Sequence, residues 1–330
     1  MAITLAEISK LRTMTGAGMM DCKNALNEAN GDFDKAIEII RKKGQAIAAK
    51  RSDRQAAEGC ILAGVNGNYA AALALKCETD FVAKNADFIA LTQQILDFAL
   101  ANKPADVEAL KAGVINGSTI QQLVTDRSGI TGEKMELDMF CSVSGESVIA
   151  YVHPGNKLAS IVAFNLANVE NGVAKDVAMQ VAAMSPIAID PSGVPAEEIE
   201  KEREIAAEKT KAEMVQKQVD NALSKAGINP AHVDSDAHIE SNMAKGWITA
   251  EQAAKAREIK VSAAEQAAAN LKPQMIENIV NGRINKLFKE KTLLQQEFIK
   301  DSKMNVAQYM ESQCKGLTAT AFKRITLNQE

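Results

Sequence analysis

Apolar positions in the first fifty residues return at helical spacing. Ile3, Leu5, Ile8, Leu11 and Met14 form one series; T-G-A-G at 15–18 interrupts it, and Cys22, Ala25, Leu26 and Ala29 form the next. Asn30-Gly31 ends that series. Asp32 then stands where an N-cap belongs, ahead of Phe33, Ala36, Ile37 and Ile40. The pattern predicts three short helices, a bundle so small that it serves either as a docking piece or as a stabilising cap.

From Gly59 the period changes to that of strands. Residues 60–65 and 69–77 flank Asn66-Gly67, and Asn-Gly predicts a hairpin closed by a type I′ turn, in which both central residues need positive φ. A helix carrying Phe88, Ile89, Ile95, Leu96 and Phe98 follows and ends before Pro104, with a shorter helical stretch near 106–127. Strand patterns return at 137–143, 147–153 and 158–165, followed by a helix with Val173, Val177, Val181 and Met184 on one side. Beyond Pro191 and Pro195, residues 196–226 and 249–272 are polar, Ala-rich and helical, with thin seams such as Ile199, Ile205, Val215 and Val219. A loop holding Gly227, Asn229, Pro230 and Gly246 joins them. This reads as a protruding antiparallel helical hairpin, suited to a partner or to a second copy, or else a solvated decoration. After Pro273 come a more apolar helix at 275–288 and the tail TATAFKRITL, read as a closing strand.

Composition agrees with this pattern: 46% of residues are apolar and only 4% aromatic, and Ala, Glu and Lys are abundant. The fold class is α+β. The predicted divisions are a three-helix module with a basic linker at 1–54, two α+β core subdomains with small antiparallel sheets at 55–138 and 139–194, the helical hairpin at 195–273, and a return helix and final strand at 274–330 that complete the second subdomain.

A net charge of -4 gives no overall positive field for holding a nucleic-acid backbone, which argues against direct nucleic-acid binding. The basic run Arg41, Lys42, Lys43, Lys50, Arg51 and Arg54 reads as a solvated linker face. The five cysteines, Cys22, Cys60, Cys77, Cys141 and Cys314, are odd in number and lack a C-x-x-C pair, as expected of reduced cytosolic thiols. No apolar run approaches the ~20 residues of a membrane span, and the N-terminal stretch is broken by Glu7, Lys10 and Arg12, so the expectation is a cytoplasmic protein with no membrane partner.

Catalytic constellations are missing. His153, His232 and His238 are the only histidines; H-E-x-x-H, G-x-S-x-G and the phosphate-loop pattern do not occur, and SGITG at 128–132 is followed by Glu133-Lys134. No enzyme, cofactor or metal site is expected. His153, at a strand end, reads as structural or as an interface residue. One local ambiguity remains in KCETDFVAKN, residues 76–85. With Thr79 as N-cap, Phe81 falls near the core stripe of Phe88; with Asn85 as N-cap, residues 79–84 are a loop and Phe81 stands exposed as a binding anchor. Periodicity does not choose between them.

TGAGMMDCKNAL (15–26), CETDFVAKN (77–85), YVHPG (151–155) and NGRINKLFKEKTLLQQEFIKD (281–301) occur in the order that characterises bacterial elongation factor Ts, and the resemblance spans nearly the whole chain. The region from about 195 to 273 is longer than that family's usual helical hairpin. The resemblance implies a three-helix module similar to a ubiquitin-associated domain, and a guanine-nucleotide exchange factor for elongation factor Tu, with no active site of its own. It further implies that Thr79, Asp80, Phe81 and Val82 enter the GTPase beside its Mg²⁺ and phosphate loop. Met19, Met20 and Lys23 would dock the N-terminal module, His153 would add a contact, and the hairpin would offer a homodimer surface. For Met19 and Met20, core packing is the equal alternative. A non-catalytic interaction scaffold is the next reading.

Overall fold

The computed structural model describes residues 3–328. The chain divides into two compact units, one running up to Ile189 and resuming at Glu297, the other from Asp190 to Gln296.

Helix α1 (Leu5–Thr15) begins with a capping box in which the Thr4 hydroxyl accepts from the Glu7 N–H and the Glu7 carboxylate accepts from the Thr4 N–H. Helix α2 (Met19–Glu28) follows, then α3 (Phe33–Ala49), capped by Asp32. Ile8, Leu11, Cys22, Leu26 and Ala36 form their core, whereas Leu5 and Met14, apolar by spacing, are exposed. Helix α3 runs on past Ile40, the last apolar position of its series, and takes part of the basic run with it. Arg41 reaches Asp126 at 3.4 Å and the Ser118 hydroxyl at 3.2 Å, while Arg51 and Arg54 both face Glu78. Lys42 pairs with Glu38 and Lys43 with Asp21, so five of the six basic residues of the expected solvated linker have an acidic partner.

Strands β1 (Glu58–Asn66) and β2 (Tyr69–Cys77) form the predicted hairpin, with Asn66 opposite Tyr69. The turn differs from expectation. Its central residues are Gly67 and Asn68, and of these only Gly67, at φ 60°, is left-handed, which is the type II′ pattern. Next come the single turn α4 (Asp80–Ala83) and the 17-residue α5 (Ala86–Asn102). The stretch near 106–127 is not one helix: α6 (Val107–Ala112) and α7 (Ile120–Thr131) are separated by β3 (Val114–Ile115) and β4 (Ser118–Thr119). There Asn116 (φ 50°) and Gly117 (φ 81°) build the type I′ turn that had been expected at Asn66-Gly67.

Strand β5 (Glu136–Ser144) runs across the expected change of subdomain at 138/139 and pairs along its length with β2, giving the sheet order β1-β2-β5. Strands β6 (Ser147–Val152) and β7 (Leu158–Phe164) lead into α8 (Asn171–Met184). The second unit is helical: α9 (Ala196–Lys225), α10 (Asp236–Ala244), α11 (Ala250–Ala269) and α12 (Pro273–Lys291). The chain then returns through β8 (Glu297–Phe298), β9 (Asp301–Asn305), α13 (Val306–Gln313) and β10 (Ala319–Thr326), which completes a second antiparallel sheet of order β10-β7-β6.

The two three-stranded sheets pack face to face. Ala70, Ala72 and Ala74 of β2 meet Ala159, Ile161 and Ala163 of β7, with Ile61 and Val143 in the same layer. On its other face β2 turns Leu73 and Leu75 toward Phe88, Ile95 and Leu96 of α5. Helix α8 closes the far side of the second sheet, where the buried Ser160 hydroxyl donates to the Ala178 carbonyl at 2.6 Å. In the helical unit, α11 lies along the C-terminal half of α9, joining Ala253 and Ala256 to Val219 and Leu223, and α12 lies along its N-terminal half, joining Val280 and Ile284 to Ala206. The loop expected between the long helices contains α10, and its Val233 and Ile239 join the same core as Val219, Leu223 and Ala256, with Asn242 Nδ2 donating to the His232 carbonyl. Ile205, expected in the apolar seam, is exposed.

Helix α3 crosses α7 at two glycines. A Cβ on Gly129 would lie 2.3 Å from the Gly44 Cα, whereas one on Gly44 would lie 3.5 Å from the Gly129 Cα. Gly129→Ala therefore lowers stability by about 1–3 kcal/mol through overpacking, although helix propensity alone favours Ala by about 1 kcal/mol. Gly44→Ala is neutral or slightly stabilising. Denaturant melts of both variants test this, and similar shifts in the two would refute the close-crossing argument.

Candidate functional site

Strand β2 delivers the chain to the site. Cys77, the last residue of that strand, is buried; burial pushes its thiol up to about 12, so it stays protonated, and the S–H donates to the Thr79 carbonyl at 3.2 Å. The next residues are held by a carboxylate from far along the chain. Glu133 Oε2 accepts the N–H of Glu78 at 3.1 Å and of Thr79 at 3.0 Å, and its Oε1 accepts the Thr79 hydroxyl at 2.6 Å. Glu78 answers in the opposite direction: its carboxylate accepts the Lys134 N–H at 2.6 Å and Arg54 Nη1 at 2.9 Å. The backbone hydrogen bond from Lys134 leads the causes that lower the Glu78 pKa. Two carboxylates thus clamp two adjacent chain segments to each other.

Both competing helix starts are used. Thr79 caps the single turn α4, accepting from the Val82 N–H, and Asn85 caps α5, accepting from the N–H groups of Asp87 and Phe88. Val82 packs against the core cluster beneath α5, and Ala83 is buried. Phe81 points the other way and is 84% exposed. Because the helix restarts at Asn85, Phe81 is off the α5 stripe to which Phe88 belongs. Beside it, Lys84 Nζ bonds Asp80 Oδ2 at 2.7 Å, the chief reason that the Asp80 carboxyl titrates below its usual range.

His153 lies exposed in the turn after β6, with its Nδ1 2.9 Å from the Tyr151 hydroxyl. That turn is anchored to the start of β1: the Asn156 carbonyl accepts the Ile61 N–H at 2.7 Å, and Lys157 pairs with Glu58 at 2.8 Å. The Lys157 charge also helps to lower the Asp80 pKa, and the Glu58 charge to raise that of Lys84. Met19, Met20 and Lys23 are carried separately on α2. All three are exposed, Met20 at 64%, so neither methionine fills the core of the module. Among the described residues no group of three or more His, Cys, Asp or Glu is placed to hold a metal ion, and no helix is long and apolar enough to cross a membrane.

The family model for elongation factor Ts matches residues 78–231 and 221–329. Proteins named elongation factor Ts match over the whole of both chains at 60% identity in Parabacteroides distasonis and in Bacteroides thetaiotaomicron, and at 47% in Porphyromonas gingivalis. The chain belongs to the elongation factor Ts family. It is thus a translation elongation factor, and these full-length matches mean that its long second helical unit is shared with those relatives.

Sequence reasoning reached Thr79 to Val82 but not the residues that hold them. Glu133 lies 54 positions from Thr79, just past the left-handed Gly132 that ends α7, and no local pattern connects the two. Arg51, Arg54 and Glu78 were equally silent. A pairing of a Glu after a helix-ending Gly with a Thr two residues beyond a strand end is visible only once β2 and β5 are adjacent.

An aromatic side chain this exposed contributes little to the fold. Phe81→Ala is expected to change the unfolding free energy by no more than about 0.5 kcal/mol, read from a denaturant melt of the free protein; a loss of several kcal/mol would mean that Phe81 is part of the core.

Proposed function

We propose that this protein is a cytoplasmic guanine-nucleotide exchange factor for elongation factor Tu, without a chemical reaction of its own. The observation that carries the reading is Phe81, 84% exposed on a clamped, one-turn helix. Leaving a Phe in water forgoes roughly 1.5–3 kcal/mol of burial. Large aromatics in such positions are the usual anchors of protein interfaces.

In the partner GTPase, Mg²⁺ bridges phosphate oxygens of the nucleotide and a hydroxyl of the phosphate loop. Phe81 and Asp80 enter beside that shell as a wedge. Thr79 and Val82 hold the wedge from behind, one through its cap and the other through the core. Displacing the metal and the phosphate loop removes much of the electrostatic hold on GDP, and release accelerates. The coupling is reciprocal. If the factor weakens GDP binding about 10⁴-fold, roughly 5.5 kcal/mol, nucleotide weakens the factor equally, so incoming GTP expels it unchanged. Met19, Met20 and Lys23 on α2 and His153 beside β6 supply further contacts.

The test is release of a fluorescent GDP analogue from preloaded elongation factor Tu of the same organism, with substoichiometric native protein, with Phe81→Ala and with none. Native protein accelerates release through many turnovers, and Phe81→Ala lowers the acceleration about 30-fold, the size of an aromatic hot spot of about 2 kcal/mol. Equal acceleration by both would remove Phe81 from the mechanism. Binding of native protein with no acceleration would leave an interaction scaffold instead of an exchange factor.

A further inference from the structure

We propose that Glu133 is a positioning residue for exchange: its carboxylate sets the angle at which α4 presents Phe81, and it acts on the partner only through that side chain. The inference rests on the exchange reading above and adds to it a residue that never touches the GTPase.

The geometry is specific. A side-chain carboxylate that accepts two consecutive backbone N–H groups and the hydroxyl of the following helix cap fixes the peptide planes on which that helix is built. Without it, the Thr79 N–H and hydroxyl lose their acceptor, the Thr79 side chain keeps only its cap bond to the Val82 N–H, at 3.4 Å, and α4 is a single turn that cannot sustain itself by propagation. Glu133 is itself held. The Ser128 hydroxyl donates to its carbonyl at 2.5 Å, its N–H donates to the Thr131 hydroxyl at 3.3 Å, and the neighbouring Lys134 N–H is bonded to Glu78. The crossed pair makes the end of α7 and the end of β2 one rigid corner. Arg54, which also reaches Glu78, ties the segment after α3 to that corner. Binding an aromatic anchor from a loose loop would cost the ordering of that loop at each encounter, and pre-organisation removes this cost.

The experiment uses the full chain carrying Glu133→Ala, Glu133→Gln, Phe81→Ala and the double variant Glu133→Ala/Phe81→Ala. It measures the maximal rate of GDP-analogue release and the concentration for half-maximal effect separately. It also follows amide hydrogen exchange at residues 79–82. Glu133→Ala lowers the maximal rate about tenfold, the worth of one charge-assisted hydrogen bond, and deprotects those amides. Glu133→Gln, which retains a carbonyl oxygen for the two backbone donors, falls between it and the native protein. In the Phe81→Ala background, Glu133→Ala adds no further loss, because a residue acting only through Phe81 has nothing left to position.

Multiplying losses in the double variant would overturn the proposal and make Glu133 a general structural residue, as would native rates with Glu133→Ala. Should Glu133→Ala unfold, the same comparison is made with Glu133→Gln. If Phe81→Ala itself exchanges at the native rate, the wedge reading fails on its own account. In that case amides 79–82 that stay protected in Glu133→Ala would separately overturn the clamp.

Discussion

Strand β2 is buried on both faces, and the architecture of the first unit depends on that constraint. Its residues alternate between a small face, Ala70, Ala72 and Ala74, and a larger one, Leu73 and Leu75. The alanines take up little depth, so a second sheet can lie directly on the first through Ala159, Ile161 and Ala163. The leucines supply the area on which α5 is laid, at about 25 cal/mol per Å² removed from water. A strand in that position has no freedom of register, since a slip of one residue would place leucines between the sheets and alanines beneath the helix. The point at which β2 ends is consequently fixed in space, and Cys77 marks it.

The residues after Cys77 use that fixed point. Backbone leaving a central strand loses its ladder partners, and its N–H groups need new acceptors. Glu133 supplies them. The same bonds that satisfy the unpaired backbone beyond the strand end also orient Thr79, and Thr79 starts the single turn carrying Phe81. Stability and presentation are here one set of hydrogen bonds. Burying Val82 and Ala83 on the inner side of the turn leaves Asp80 and Phe81 no direction but outward.

Much of this was legible in the residues and some was not, for identifiable reasons. Amphipathic runs such as Val173, Val177 and Val181 announced their helices because one stripe of each faces a core. The caps Asp32, Thr79 and Asn85 were readable from local chemistry; the surprise was that both rival caps are used, seven residues of sequence serving two helices instead of one. The turn at Asn66-Gly67 was misread by one position because pairing, not the dipeptide, decides which residues are central. Strand β5 hid a second lesson. Its register shifts opposite Ala74 and Leu75, so that Leu137 faces the helices and Met139 faces the other sheet despite a spacing of two. Simple alternation would have put both on one side. Glu133 was illegible because its partner is a backbone 54 residues away, and backbone carries no signature in sequence.

On the exchange reading, Phe81 has to act in company. A 10⁴-fold coupling requires roughly 5.5 kcal/mol of differential interaction, and a single aromatic hot spot supplies about 2–4 kcal/mol. The remainder has to come from elements far apart in sequence, and these must be held in register with the wedge or their binding energy is lost to rearrangement. Two features of the first unit meet that requirement. The α3–α7 crossing at Gly44 and Gly129 seats the N-terminal module, with its exposed Met19, Met20 and Lys23, against the helix whose end bears Glu133. The Glu58–Lys157 pair joins the turn of His153 to the strand beside α4. On the exchange reading, rigidity between these contacts is what turns binding at several places into displacement at one.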